Sequence, residues 1–192
     1  MSSSARPDPG AGLVVLDRDG VINHESAEFI KSADEWLPLP GSLDAIAALT
    51  QAGFTVVVAS NQSGVGRGLF DKTALAEINS RMRQSVESAG GKLAGIFICP
   101  HRPEDNCGCR KPRPGLLLQI EDQFGRKLAG QPVIGDSLRD LEAAHAVGAR
   151  AILVRTGNGI DTERELHDRS NVAVFDDLAA AARFLIANGV TR

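Results

Sequence analysis

Five short runs of branched apolar residues punctuate the chain: GLVVL (12 to 16), FTVVVAS (54 to 60), AGIFICP (94 to 100), QPVIGD (131 to 136) and RAILVRTG (150 to 157). Each is bounded by glycine or polar positions, as strands buried on both faces of a parallel sheet require. Between them the apolar positions recur with helical spacing. GSLDAIAALTQAG (41 to 53) has Ser42 placed to cap its start and Gly53 to end it, and DKTALAEINSRMRQSVESAG (71 to 90) follows the second strand. RPGLLLQIEDQFG (113 to 125) carries proline in its first turn, and LRDLEAAHAVGA (138 to 149) ends at Gly148. DDLAAAARFLIANG (176 to 189) reads as a closing amphipathic helix. This alternation predicts an α/β fold, a three-layer Rossmann-like sandwich around a mainly parallel sheet. Such sheets carry their chemistry at the carboxyl ends of the strands. Asp17, Ser60, Cys99 and Asp136 each end an apolar run, so they are expected along one edge of the sheet.

At 192 residues the chain suits one domain with a full core. The expected division is a flexible tail over 1–12, MSSSARPDPGAG, and a single domain over 13–192. Hydrophobic residues are 43% and charged residues 23% of the chain, which argues against global disorder. A net charge of −3 gives no reason to expect nucleic acid as a partner. No apolar run approaches the roughly 18 to 20 residues that span a bilayer. The polar tail lacks the apolar segment of a signal peptide, so the expectation is a cytoplasmic protein without a membrane partner.

Two aspartates at the mouth of a buried strand, in VVLDRDGVIN (14 to 23), are the most pointed chemical feature. Extended alternation would place Asp17 and Asp19 on one side with Arg18 directed away. Two such carboxylates repel unless a cation joins them, and magnesium, an oxygen-seeking ion, suits them. A simple Asp-rich turn after a strand is the plainer alternative. SNQSGVGRG (60 to 68) brings Ser60, Asn61, Gln62, Ser63 and several glycines, suited to hydroxyl and backbone contacts with a phosphoryl group. In RKPRPG (110 to 115), Lys111 offers a point charge and Arg110 a bidentate one, although each alone could be a solvated cation. In VIGDSLRDLEAA (133 to 144), Asp136 is a candidate magnesium ligand or a helix cap, and Asp140, one turn on, could orient Lys111 or a metal-bound water.

All three cysteines fall within CPHRPEDNCGC, which sets Cys99, His101, Cys107 and Cys109 in a C-x-H-x5-C-x-C arrangement. Three thiolates and one imidazole make a closed tetrahedral site for structural zinc. Buried free cysteines with a surface histidine are the competing reading. Zinc here would brace the loop that leads into Arg110 and Lys111. His24, His145 and His167 have no assigned role.

The order Asp-x-Asp-Gly, Ser-Asn, Lys-Pro and Gly-Asp with a following Asp resembles the haloacid dehalogenase superfamily, over Val14 to about Thr156. The resemblance implies a phosphatase in which Asp17 is the nucleophile and Asp19 the proton donor and acceptor. It also implies magnesium on Asp17, the Asp19 backbone carbonyl and Asp136, with Ser60 and Lys111 neutralising the transferring group. The spacing between motifs leaves no room for a cap domain, so the site is expected to be open. A capless fold with this zinc loop resembles the branch of sugar-bisphosphate and histidinol-phosphate phosphatases. NQSGVGRG and CRKPRPGLL are similar to the sugar-bisphosphate side of it. The implied partner is a small phosphorylated sugar, handled by a monomer, with NHESAEFI (23 to 30) touching the sugar and Asn61, Gln62, Ser63 and Arg110 binding the substrate. A non-catalytic phosphate-binding module is disfavoured because binding alone needs no nucleophile. A phosphatase of nucleic-acid ends is disfavoured by the net acidity and the absence of tyrosine.

Overall fold

The structure, a computed structural model, describes residues 12–166 and 171–189; the tail over 1–11 and His167 lie outside these. Strands β1 (Leu13–Leu16), β2 (Thr55–Asn61), β3 (Gly95–Cys99), β4 (Pro132–Gly135), β5 (Arg150–Val154) and β6 (Val172–Phe175) form one parallel sheet in the order β3-β2-β1-β4-β5-β6. The helices are α1 (Ser42–Gln51), α2 (Ser63–Gly66), α3 (Lys72–Ser88), α4 (Gly115–Phe124), α5 (Leu138–Ala146), α6 (Gly159–Glu165) and α7 (Leu178–Asn188).

Side chains alternate across each strand, so one run of apolar residues feeds two cores. Val14, Leu16, Val56 and Val58 pack with Ile46 and Leu49 of α1, Ile78 and Met82 of α3, and Leu185 of α7. Leu13, Val15, Val57 and Ala59 face the other way, onto Leu116 and Ile120 of α4 and Leu141 of α5. Helices thus cover both faces of the sheet, which gives the three layers expected.

The strand order places the site. The chain builds outward from β1 to β2 and β3, then crosses back to lay β4 on the other side of β1. That reversal opens a crevice at the carboxyl ends of β1 and β4. The 25-residue stretch 17–41 that follows β1 holds only a short helical turn at Ala33–Glu35, so no domain is inserted there.

Three local expectations need correction. Ser42 does not cap α1: Gly41 holds the cap position at φ 75°, and the Ser42 hydroxyl instead donates to Ile22 O at 2.7 Å. Arg18 does not point away from the carboxylates, because β1 ends at Leu16 and alternation ends with it; its side chain folds back onto Asp19. Finally β6, α2 and α6 were not anticipated. Every β6 position is half-buried, so it lacks the apolar contrast that marked the central strands.

Candidate active site

Asp17, Asp19, Ser60, Asn61, Gln62, Ser63, Arg110, Lys111, Asp136 and Asp140 line one cleft of about 220 Å³ at the carboxyl ends of the strands. Every protein-chemistry residue expected from the sequence, apart from the zinc set, is therefore brought together. The cleft also holds Glu25, Ser26, Ala27, Phe29 and Ile30 from the loop after β1, and Ser137 and Arg139 from the start of α5.

Lys111 is the hub. Its backbone lies 50 residues from Asn61 in sequence, yet the Asn61 amide bonds both of its main-chain groups: Nδ2 donates to Lys111 O at 3.0 Å and Oδ1 accepts from Lys111 N at 3.1 Å. The buried Nζ then reaches Ala59 O at 2.7 Å, Asp17 Oδ1 at 3.0 Å and Asp140 Oδ1 at 2.5 Å. The ammonium thus donates to one backbone carbonyl and stands in ion-pair contact with two carboxylates. Asp140 is fixed in turn, since its Oδ2 accepts from the Ser137 backbone at 3.1 Å and hydroxyl at 2.5 Å in a capping box at the start of α5. Ser137, rather than Asp136, caps this helix.

Asp136 points elsewhere. Its Oδ2 accepts from the backbone and side chain of Asn158 at 2.8 and 3.1 Å. Two glycines make the space for it: a Cβ on Gly20 would lie 2.0 Å from Asp136 Oδ2, and one on Gly157 would lie 2.2 Å from it. Both glycines hold positive φ, at 78° and 57°. The Thr156 hydroxyl donates to Gly20 O at 2.6 Å and ties the two turns together.

Asp17, Asp136 and Asp140 each offer an oxygen within 4.8 Å of the others. Burial pushes Asp17 up to about 7, opposed by Lys111 and reinforced by Asp140, Asp136 and Asp19. Burial likewise pushes Asp136 up to about 6 against the Asn158 backbone bond. One ammonium among three enclosed carboxylates leaves an excess of negative charge, and a hard divalent cation removes it. The donor set and the cleared space around Asp136 fit magnesium.

Asp19 sits in a separate cradle. Its Oδ1 accepts from Arg18 Nε at 3.0 Å and Asn23 Nδ2 at 2.8 Å, and its Oδ2 from Arg18 Nη2 at 3.0 Å and Gln62 Nε2 at 2.6 Å. Gln62 also donates to Ser60 Oγ at 2.9 Å, which leaves the Ser60 hydroxyl proton free for a ligand oxygen.

Glu25 and Arg139 were missed by sequence reasoning as individual residues. Glu25 lies in the segment expected to meet the sugar; burial, then the carboxylates of Asp19 and Asp17, push it up to about 7. Arg139 faces Arg110 closely enough that, after burial, its charge is the next influence lowering Arg110 from the usual guanidinium range. Two like charges that close across a cleft mouth favour an anion between them. Only the helix register of α5, which turns position 139 outward while 140 goes in, could have singled Arg139 out.

Behind the cleft, Cys99, His101, Cys107 and Cys109 converge. Sulfur to sulfur separations are 3.2, 3.5 and 3.6 Å, and His101 Nδ1 lies 3.3 Å from Cys109 and 3.6 Å from Cys99. The cysteines are free thiols, far beyond the ~2.05 Å of a disulfide. The ~2.3 Å zinc to sulfur bond implies tetrahedral edges of about 3.8 Å, so the cluster is close to the size zinc needs. Burial holds the Cys99 thiol up near 12, so a thiolate there calls for a cation. Hence the residues fit a structural zinc ion. The loop they close is stitched to the glycine-rich segment by Gln62 N to Cys99 O at 2.7 Å and Gly66 N to Pro100 O at 3.0 Å.

The chain matches the HAD-hydrolase-like family over residues 108–181 and the polynucleotide kinase 3 phosphatase family over residues 13–137. It is 49% identical over 174 residues to a D-glycero-beta-D-manno-heptose-1,7-bisphosphate 7-phosphatase of Pseudomonas aeruginosa, covering 91% of this chain and 97% of that protein. Its identity to the Escherichia coli K12 protein of the same name is 37% over 161 residues, 79% of this chain and 83% of that one. Among solved structures it is similar to the D,D-heptose 1,7-bisphosphate phosphatase of B. bronchiseptica complexed with magnesium and phosphate. The TM-score is 0.90 at 49% identity, over 93% of this chain and 99% of that one.

Proposed function

Since this chain belongs to the haloacid dehalogenase-like hydrolases, in the family of the D-glycero-beta-D-manno-heptose-1,7-bisphosphate 7-phosphatases, we propose that it removes the 7-phosphate of that bisphosphate through an aspartyl-phosphate intermediate. The chain is a phosphoric monoester hydrolase by kinship with these phosphatases. What carries the finer reading is the contact of Asp17 Oδ1 with Lys111 Nζ at 3.0 Å, at the crevice where Asp136 enters from β4. A carboxylate held by an ammonium with two further carboxylates beside it supports a nucleophile over a simple turn.

Magnesium held by Asp17, Asp136 and the Asp19 backbone carbonyl would neutralise the phosphoryl oxygens and the nucleophile. An Asp17 oxygen attacks phosphorus in line with the departing alcohol oxygen. Lys111, anchored by Asp140 and Ala59 O, balances the charge that Asp17 brings. The Ser60 hydroxyl donates to a phosphoryl oxygen. Asp19 protonates the leaving alkoxide and then takes a proton from the water that hydrolyses the phosphoenzyme.

Arg110 and Arg139 support a bisphosphate substrate, because they line the same cleft as Asp17 and Lys111 and offer two further cations to a second phosphate. Glu25 and Ser26 offer acceptors for ring hydroxyls. The match to the polynucleotide kinase 3 phosphatase family runs from β1 to Ser137 and so takes in Asp17, Asp19, Ser60, Lys111 and Asp136. The reading includes a small phosphorylated sugar as the sole partner, a monomer, and a place in the cytoplasmic supply of heptose for lipopolysaccharide. Among the described residues no helix is long and apolar enough to cross a membrane.

The test is phosphate release with magnesium, comparing the two anomers of the heptose bisphosphate with histidinol phosphate and fructose 1,6-bisphosphate. A strong kcat/KM preference for one heptose anomer is expected. Faster turnover of histidinol phosphate would overturn the substrate assignment while leaving the chemistry in place.

A further inference from the structure

Arg18 is the puzzle in this fold. It is fully buried, a costly place for a guanidinium, and its Nη1 has no hydrogen-bond partner among the described residues. A buried ion pair of this kind is commonly no more stable than apolar residues of the same volume. Stability is therefore a poor reason for an arginine here. Its remaining nitrogens grip Asp19 from below, Nε on Oδ1 and Nη2 on Oδ2, both at 3.0 Å.

Two buried amides complete the grip, and neither is free to flip. Asn23 Oδ1 accepts from Trp36 Nε1 at 2.9 Å, which turns Nδ2 toward Asp19. Gln62 Oε1 accepts from Arg18 Nη2 at 2.9 Å, which turns Nε2 toward both Asp19 and Ser60. Four donors from three side chains approach this carboxylate, and one of these contacts gives way when Asp19 takes up its proton. The carboxylate accordingly has one orientation, set from behind, while it still lines the cleft.

We propose that Arg18 and Gln62 are positioning residues for Asp19, and that Gln62 couples the orientation of Asp19 to that of Ser60, rather than binding substrate itself. This rests on the proposed roles of Asp17 and Asp19. Its consequence is a dependence on the leaving group. A sugar alkoxide needs a proton as it departs, whereas p-nitrophenolate leaves without one, so misorienting Asp19 penalises the first ester selectively.

The experiment measures single-turnover and steady-state kinetics of the full chain with magnesium, using the heptose bisphosphate and p-nitrophenyl phosphate. Wild type, Gln62→Met and Arg18→Lys are compared. In Gln62→Met the first turnover of the sugar ester is expected to slow by tenfold to a hundredfold, within the ~10²–10⁴ that a positioned acid contributes. That of the aryl ester should change less than about threefold, leaving a visible p-nitrophenol burst, with the substrate concentration that half-saturates the first turnover unchanged for both esters. Arg18→Lys, which keeps the charge but loses the two-nitrogen fork on Asp19, should slow the sugar ester by less than Gln62→Met does. Equal slowing of the first turnover for both esters, or a raised half-saturating concentration with the first-turnover rate unchanged, would overturn the proposal, the latter by making Gln62 a substrate contact. A wild-type enzyme that forms no phosphoenzyme with either ester would instead remove the reading of Asp17 and Asp19, and this proposal with it.

Discussion

The side-chain amide of Asn61 closes a pair of hydrogen bonds on the main chain of Lys111, at 3.0 and 3.1 Å, and so joins the end of β2 to the exit of the zinc loop. Replacing Asn61 by Ala should free Lys111 from its frame. Leaving two backbone groups without partners costs about 1–3 kcal/mol in stability, readable by denaturant unfolding. The expected kinetic effect is a fall in kcat with KM nearly unchanged; a rise in KM alone would make Asn61 a substrate contact.

Asp17→Asn should take turnover to background and abolish acid-stable labelling of the protein by the substrate's phosphate, with the circular dichroism spectrum unchanged. Activity near that of the wild type would remove Asp17 from the nucleophile role.

Stability should depend on pH in a direction set by Asp17 and Asp136. Both carboxyls are raised by burial, to about 7 and about 6, so the folded state holds protons that the unfolded chain has lost. Stability in magnesium-free buffer should thus be greatest below about pH 4 as far as these groups decide it, and be lost progressively as pH rises from there to about 7. Magnesium binds the ionised carboxylates, so its gain in Tm should be larger at pH 8 than at pH 5. A gain independent of pH would show that these groups do not hold the ion.

Gly157→Ala is expected to damage metal binding before it damages the fold. Its Cβ would lie 2.2 Å from Asp136 Oδ2 and 2.5 Å from Gly20 Cα, on a backbone at φ 57°. The strain costs about 1–3 kcal/mol, and calorimetric titration should show a weakened magnesium site.

Cys107→Ser should release zinc, with metal content well below one ion per chain by elemental analysis. Loss of activity should follow, because Lys111 lies two residues beyond Cys109. Unchanged zinc content would refute the ligand assignment.

Much of this architecture was legible because the central strands are buried on both faces. β1 reads as LVVL with every position buried, a pattern that cannot be mistaken for a surface strand. The edge strand β6 is half-exposed throughout and carries no such contrast. Within the site, Asp17, Lys111 and Asp136 were legible because their chemistry is tied to strand ends and to a loop of fixed residue types. Arg18 was not, since the period of two holds only while the strand lasts and β1 stops at Leu16. Nor was the inward role of Gln62: an amide in a glycine-rich loop looks like a ligand contact until a buried guanidinium is found against it. Arg139 depends on where α5 starts, and element boundaries are what a periodic pattern marks least sharply.

The ring closed at Cys99 and Cys109 separates what must stay still from what can vary. Both ends of the ring are anchored, one by β3 and the other by the short step to Lys111, whereas residues 102–106 are exposed throughout. Doubling such a loop adds only about 0.6 kcal/mol of closure entropy. The segment 102–106 is thus the part of the ring whose length and charge can change at least cost to the frame that holds Lys111.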